Sequence, residues 1–137
     1  MSNFEYNKRV EDFLKANWIT TPILIQSVPE RDKPKNGFIR STPLIGKVSR
    51  PHVGINSFHR HPMTVIIQVM APVNNGWQLA MTWSDTIAAL FRDNNSGMTG
   101  LNFAEVDLVT VGETGNYFQV NVIANGYFDT LPSGTIV

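Results

Sequence analysis

With 137 residues, and Lys plus Arg matching Asp plus Glu at 11 each, the chain is sized for one domain and has no net field to draw it to nucleic acid or an anionic membrane. Charged residues make up 16% of it and hydrophobic ones 42%, a sparse charge complement beside the roughly one-quarter typical of soluble domains, which favours an assembly subunit over an isolated monomer. The lack of cysteine excludes a disulfide framework, a thiolate nucleophile and a zinc ribbon, and leaves the redox compartment open.

Ser2-Asn3-Phe4-Glu5 has capping-box spacing and predicts a helix starting there. Val10, Phe13, Leu14 and Trp18 continue it as one apolar stripe, with Lys8, Arg9, Glu11, Asp12 and Lys15 on the solvated side. Acids at Glu5, Glu11 and Asp12 interrupt any apolar run, so no signal peptide is expected. Ile19-Thr20-Thr21 before Pro22 ends the helix, and Pro22 to Gln26 reads as a short strand. A polar, proline-punctuated loop runs from Val28 to Gly37, followed by a strand from Phe38 to Thr42. Pro43, which cannot donate to a ladder, points to a sheet edge or bulge. Residues 45–55 show little periodicity.

The pattern turns extended again from Ser57. Between Thr64 and Met70 it places Val65, Ile67 and Val69 on one face and Thr64, Ile66, Gln68 and Met70 on the other. With both faces partly apolar, this strand is either covered on both sides or packed outward against another subunit. The run Val65-Ile66-Ile67 is the longest apolar one outside the helices, far short of the ~20 residues that span a bilayer, so no transmembrane role is expected. Asn74-Asn75-Gly76 then opens a second helix whose stripe is Ala80, Trp83, Ile87, Leu90 and Phe91, stopping near Asp93 before Asn94-Asn95-Ser96-Gly97. Two strands follow. Leu101 to Val111 sets Ala104, Val106 and Leu108 against Glu105 and Asp107; Tyr117 to Phe128 sets Phe118, Val120, Val122 and Ala124 on one face. Gly112 to Asn116 is the hairpin turn between them, and Leu131 to Val137 reads as a tail.

The order implies an α+β domain: a mostly antiparallel sheet of about four to five strands with two helices packed on one face. Residues 1–129 form that domain, and 130–137 a flexible or partner-ordered C-terminal tail.

No enzyme signature appears: there is no Gly-x-Ser-x-Gly elbow, and Gly112-x-x-Gly115 lacks the lysine and the strand-to-helix setting of a phosphate loop. His59 and His61 share a side of an extended segment, but with no third ligand in the pattern they read more simply as a polar strand or interface surface than as a metal site. No catalytic, cofactor-binding or metal-binding residues are therefore assigned, and no cofactor. Arg31, Lys33, Lys35, Arg40, Lys47, Arg50 and Arg60 concentrate basic charge between 31 and 60. This stretch could meet phosphates, but without interleaved aromatics it reads more simply as a solvated loop or charged subunit contact. Trp83 belongs to the core stripe. Trp77 and Trp18 stand at helix ends, where an aromatic packs inward or anchors an interface, and Trp77 is a candidate subunit contact.

Taken in order, the helix ending in Trp18, Thr21-Pro22-Ile23, Val28-Pro29 and Gly37-Phe38-Ile39-Arg40 resemble the tail terminator (tail completion) family of long-tailed phages, of the type of minor tail protein U of lambda-like phages. The resemblance continues through Val65 to Val69, Ala71-Pro72, Gly76 and the helix Asp85 to Phe91. It closes with Gly100-Leu101-Asn102-Phe103, Val109 to Gly112 and Tyr117 to Val122. Residues 51–62 and the C-terminal tail have no counterpart in it. The resemblance implies a non-enzymatic virion protein, assembled in the host cytoplasm and sited at the tail–neck junction. As a homohexameric ring it would cap the tail tube, end tube polymerisation and join the tail to the neck. Its partners would be itself, the tail tube protein and a neck or head completion protein, with genomic DNA passing through the bore and no membrane. Arg50, His59, Arg60, His61 and Trp77 are the candidate ring-bore or subunit-interface residues. The alternatives are another head–tail connector or a tail tube subunit, then a nucleic-acid-binding module using residues 31–60; a metal-dependent enzyme using His59 and His61 is more distant.

Overall fold

The computed structural model describes residues 2–24, 37–46, 59–73, 76–93, 100–131 and 136. Helix α1 spans Ser2–Asn17 and α2 Gly76–Asp93; the strands are β1 (Ile23–Leu24), β2 (Phe38–Ile45), β3 (His59–Pro72), β4 (Leu101–Thr114) and β5 (Tyr117–Thr130). They form one sheet in the order β1-β2-β3-β5-β4, antiparallel throughout except for the short β1–β2 pair. The domain is α+β, with its two helices on one face of the sheet. The loop expected at 28–36, the stretch 47–55, the side chain of Ser2 and the capping residues Asn74, Asn75 and 94–97 lie outside the described residues.

Period-two alternation in β3 decides which face is inside. Met63, Val65, Ile67, Val69 and Ala71 are buried beneath the helices, and ladder register carries that face to Val120, Val122, Ala124 and Phe128 of β5. Helix α1 contributes Tyr6, Val10, Phe13, Leu14 and Trp18; α2 contributes Ala80, Trp83, Ile87, Ala88 and Phe91. Rings join the helices at two heights, Phe13 to Phe91 at 5.8 Å and Trp18 to Trp83 at 6.2 Å, each edge to face. Because residue numbers rise along α1 as they fall along α2 between these contacts, the helices lie antiparallel. The Trp18 indole donates to Thr21 Oγ1 at 2.8 Å, which ties down the turn into β1.

Pro43 sits where its missing N–H is harmless. Ile39 N–H donates across to Pro22 O, so residues 39, 41, 43 and 45 turn their backbone polar groups toward β1. Among the described residues that strand pairs with Ile39 and Arg40, and Pro43 has no ladder partner on that side.

Three sequence expectations change at the far side of the sheet. Bulges between Phe103 and Glu105 and between Thr110 and Gly112 break the alternation of β4. The first of them turns Ala104 outward and Leu101 and Phe103 into the core, where period two had placed Ala104 inside. The hairpin turn is shorter than the predicted 112–116: β4 continues to Thr114, and Gly115 and Asn116 alone reverse the chain, with Gly115 at φ +60°. The 130–137 stretch is no free tail at its described positions. Thr130 ends β5 and bridges Ile136, which is buried in the main core.

Gly126 pairs with Phe103 at the first bulge, and a Cβ there would run into the Asn102 carbonyl and the Phe103 Cα. These are backbone atoms of a paired strand and have little room to yield. Gly126→Ala is expected to lower unfolding free energy by about 3 kcal/mol or more, seen as a fall in the urea midpoint at unchanged slope.

Candidate subunit interface

The segment His59-Arg60-His61 begins β3 and lies in register with Thr130, Asp129 and Phe128 at the end of β5. Alternation sends its side chains to opposite sides. Arg60 falls on the face away from the helices. There Nε and Nη2 donate to the two Asp129 carboxylate oxygens at 2.9 and 3.0 Å, and the guanidinium lies 4.1 Å from the Tyr127 ring centroid. A two-pronged pair stacked on an aromatic ring holds an arginine in one orientation and cancels its charge. Arg60, a bore or interface candidate from the sequence, is therefore held in one orientation with its charge neutralised.

His61 points the other way and is only 7% exposed. Its ring stacks on Phe128 at 4.6 Å with an interplanar angle of 2°, and Phe128 stacks in turn on Tyr6 of α1 at 5.2 Å. His61 Nε2 lies 2.9 Å from Thr130 Oγ1, while Nδ1 is buried without a partner among the described residues. The expectation that His61 faces a bore or a neighbouring subunit is corrected: it is part of the core that seats α1. Tyr6 completes this column, its hydroxyl lying 3.3 Å from Leu44 O and 3.4 Å from Thr64 O, and burial raises its pKa far above the usual phenol value.

His59 is half-buried and shares a β3 face with His61. Among the described residues no group of three His, Cys, Asp or Glu side chains is placed to hold a metal ion. Arg50, His52 and most of the 31–60 basic stretch lie outside the described residues. Trp77, in the first turn of α2, is 57% exposed, so the largest solvent-facing aromatic stands where the sequence placed a contact anchor.

The strand pattern of β3 allowed its outer face to pack against another subunit, and among the described residues both helices leave that face open. Register lays out three rows across it: Arg40, Gln68, Asn121 and Val109; Thr42, Ile66, Ile123 and Asp107; Leu44, Thr64, Asn125 and Glu105. Gln119 Nε2 donates to Asn121 Oδ1 at 2.8 Å and Thr64 Oγ1 to Asn125 Oδ1 at 2.7 Å, so ordered amides and a hydroxyl flank the half-buried Ile66 and Ile123 at its centre. A smaller apolar cluster of Phe38, Met70 and Tyr117 with Leu24 closes one end. No sequence signal marks these rows, because each joins residues from four separate segments.

No family model matches the chain. No curated protein matches it either. Among solved structures it is similar to a protein whose name carries no functional word, at 20% identity and TM-score 0.57, covering 93% of this chain and 92% of the other. A likeness at that identity shows the fold alone, and here it spans nearly the whole domain. No described helix is long and apolar enough to cross a membrane.

Burial holds the His61 imidazole below its ordinary pKa of 6.5; nearby His59 pushes it further the same way, and Asp129 opposes them. Below about pH 6.5 the unfolded chain therefore takes up this proton more readily than the folded one, and stability drops as pH falls through that window. Unfolding free energies between pH 7.5 and 5 are expected to decline for the natural protein, and the decline should be shallower for His61→Gln.

Proposed function

We propose that the chain is a phage tail terminator, a structural subunit that forms a homohexameric ring on the end of the tail tube. The observation that carries this reading is the resemblance of its segments, taken in order, to that family. Those segments occupy successive elements of one α+β domain: the helix to Trp18 is α1, Gly37 to Arg40 opens β2, Val65 to Val69 is the middle of β3, Asp85 to Phe91 is the heart of α2, and Tyr117 to Val122 begins β5. Among the described residues both helices lie on one face of the sheet, and that, in a chain of which just 16% is charged, suits a subunit that spends its working life against copies of itself.

The action is occlusion and needs no bond chemistry. A ring on the tube end covers the surface that recruits the next tube subunit and replaces it with one for the neck or head completion protein. DNA passes through the bore, so an attractive lining would hinder it; a chain of zero formal charge with arginines such as Arg60 already neutralised meets that requirement. The ring would be added in the host cytoplasm and remain in the virion at the tail–neck junction.

Native mass spectrometry across a concentration series is the test. A closed species of six 15.3 kDa subunits is expected, and adding it to purified tail tubes should stop their elongation. Open-ended growth into fibres would indicate a tube subunit instead. A monomer whose DNA binding weakens steeply with salt would replace the ring with a nucleic-acid-binding module.

A further inference from the structure

We propose that His61 is a proton-operated latch on the C-terminal segment: with its ring neutral it holds Thr130 and keeps Ile136 seated in the core, and on taking up a proton it releases Ile136 while the sheet stays folded. The imidazole sits between a firmly paired strand and a lightly fastened chain end, and it touches both.

On the strand side, β3 pairs with β5 from His59 to Pro72 and with β2 from Met63 to Met70. The His61 ring lies flat against Phe128, which stacks in turn on Tyr6. On the other side, Nε2 meets Thr130 Oγ1 at 2.9 Å. Thr130 is the last residue of β5, is buried, and bridges Ile136 through its backbone. Among the described residues, that isolated bridge and the burial of the Ile136 side chain fasten the segment beyond Leu131. A chain end held by so few contacts opens far more readily than the paired strands behind it.

Protonation disturbs this seat in either neutral tautomer. If Nε2 carries the hydrogen, the new proton arrives at Nδ1; if Nδ1 carries it, the proton arrives at Nε2 and the threonine hydroxyl must turn from donor to acceptor. Both routes end with an Nδ1–H that has no acceptor among the described residues and a charge shut away from water. The surrounding groups do not compensate. On β3, His59 shares the face, opposite Thr130, and adds like charge when it is protonated too. On β5, Asp129 attracts the cation but points to the other face, where Arg60 holds both its oxygens. Helix α1 brings Tyr6, a neutral phenol lying against Leu44 O and Thr64 O, and its charges pair with one another along its surface. From β4 comes Leu101, opposite Phe128 and uncharged. The face of Phe128 favours a cation but accepts no hydrogen bond from the ring edge. Burial and His59 outweigh Asp129, so the closed seat takes up its proton below 6.5, whereas an imidazole that reaches water takes it up near that value. Acid therefore favours the open form, and lifting the bridge at Thr130 admits water without breaking the ladders of β3.

Thiol labelling tests this, because the chain has no cysteine of its own. Ile136→Cys places a single thiol in the seat, and Ala124→Cys, made separately, places one in the buried middle of β5. Rates are measured with a pyridyl disulfide and divided by that of a free cysteine peptide at the same pH. For Ile136→Cys the normalised rate should rise about three- to tenfold from pH 7.5 to 5.5. At both pH values it should exceed the rate for Ala124→Cys by about tenfold or more, as local opening requires. Adding His61→Gln to Ile136→Cys should abolish the rise. His61→Phe, which keeps a stacked ring, serves the same comparison if the glutamine variant does not fold, and circular dichroism checks each. A rise that persists without His61, with His59 still present, would overturn the latch. So would an Ile136→Cys thiol that reacts at pH 7.5 as fast as the free peptide, or one whose rate does not rise in acid. Equal rates for Ile136→Cys and Ala124→Cys would mean that the whole sheet opens, and would overturn it too.

Discussion

Burial of one face of β3 is the constraint from which the rest of the structure follows. This strand pairs along its whole length with β5 and along all of β2, so whichever of its faces is covered decides the covered face of its neighbours. Val65, Ile67 and Val69 are fully buried beneath α1 and α2, and a slip of one residue in either ladder would exchange them for Ile66, Gln68 and Met70. The amide of Gln68 would then be left without water beneath the helices, a cost of roughly 1–3 kcal/mol for an unsatisfied group. Register is therefore held from both sides, by what must be buried and by what must not.

The same choice separates two populations of charge. On α1 the charges are spaced at i,i+4 and neutralise one another on the helix surface, so that side offers little electrostatic purchase. On the sheet, one arginine is pinned by Asp129 across a ladder rung while Arg40 is not, and the acids of β4 stand at the far edge. Zero formal charge conceals this: a neutral chain can be uniformly bland or sharply divided, and only the strand order tells which.

Around Phe128 the division between core and surface runs through a single tripeptide. His59-Arg60-His61 looks uniformly polar, yet one member becomes a flat ring in an aromatic column with Phe128 and Tyr6, and its neighbour becomes half of a two-pronged ion pair. Adjacent strand residues face opposite ways, so a polar sequence can serve an apolar layer and a solvent layer at once. The lone buried Nδ1 of His61 makes that seat sensitive to protonation.

By itself the sequence determined the α+β class, the extents of α1 and α2 and the inward faces of β3 and β5, because these depend on periodicity and backbone chemistry within a few neighbouring residues. Tyr6 fits the helical stripe of Val10 and Phe13 and could have been read there. Other features were decided only by the tertiary structure. The bulge that turns Ala104 out, the two-residue turn at Gly115 and Asn116, and the return of Ile136 to the core all depend on how a partner strand or packed layer receives the chain. The pairing of Arg60 with Asp129 spans 69 positions, and the row that joins Arg40 to Val109 draws on four strands. Local sequence sets which way a side chain alternates; what it then meets is set by strand order and register, which arise from burying the whole face at once.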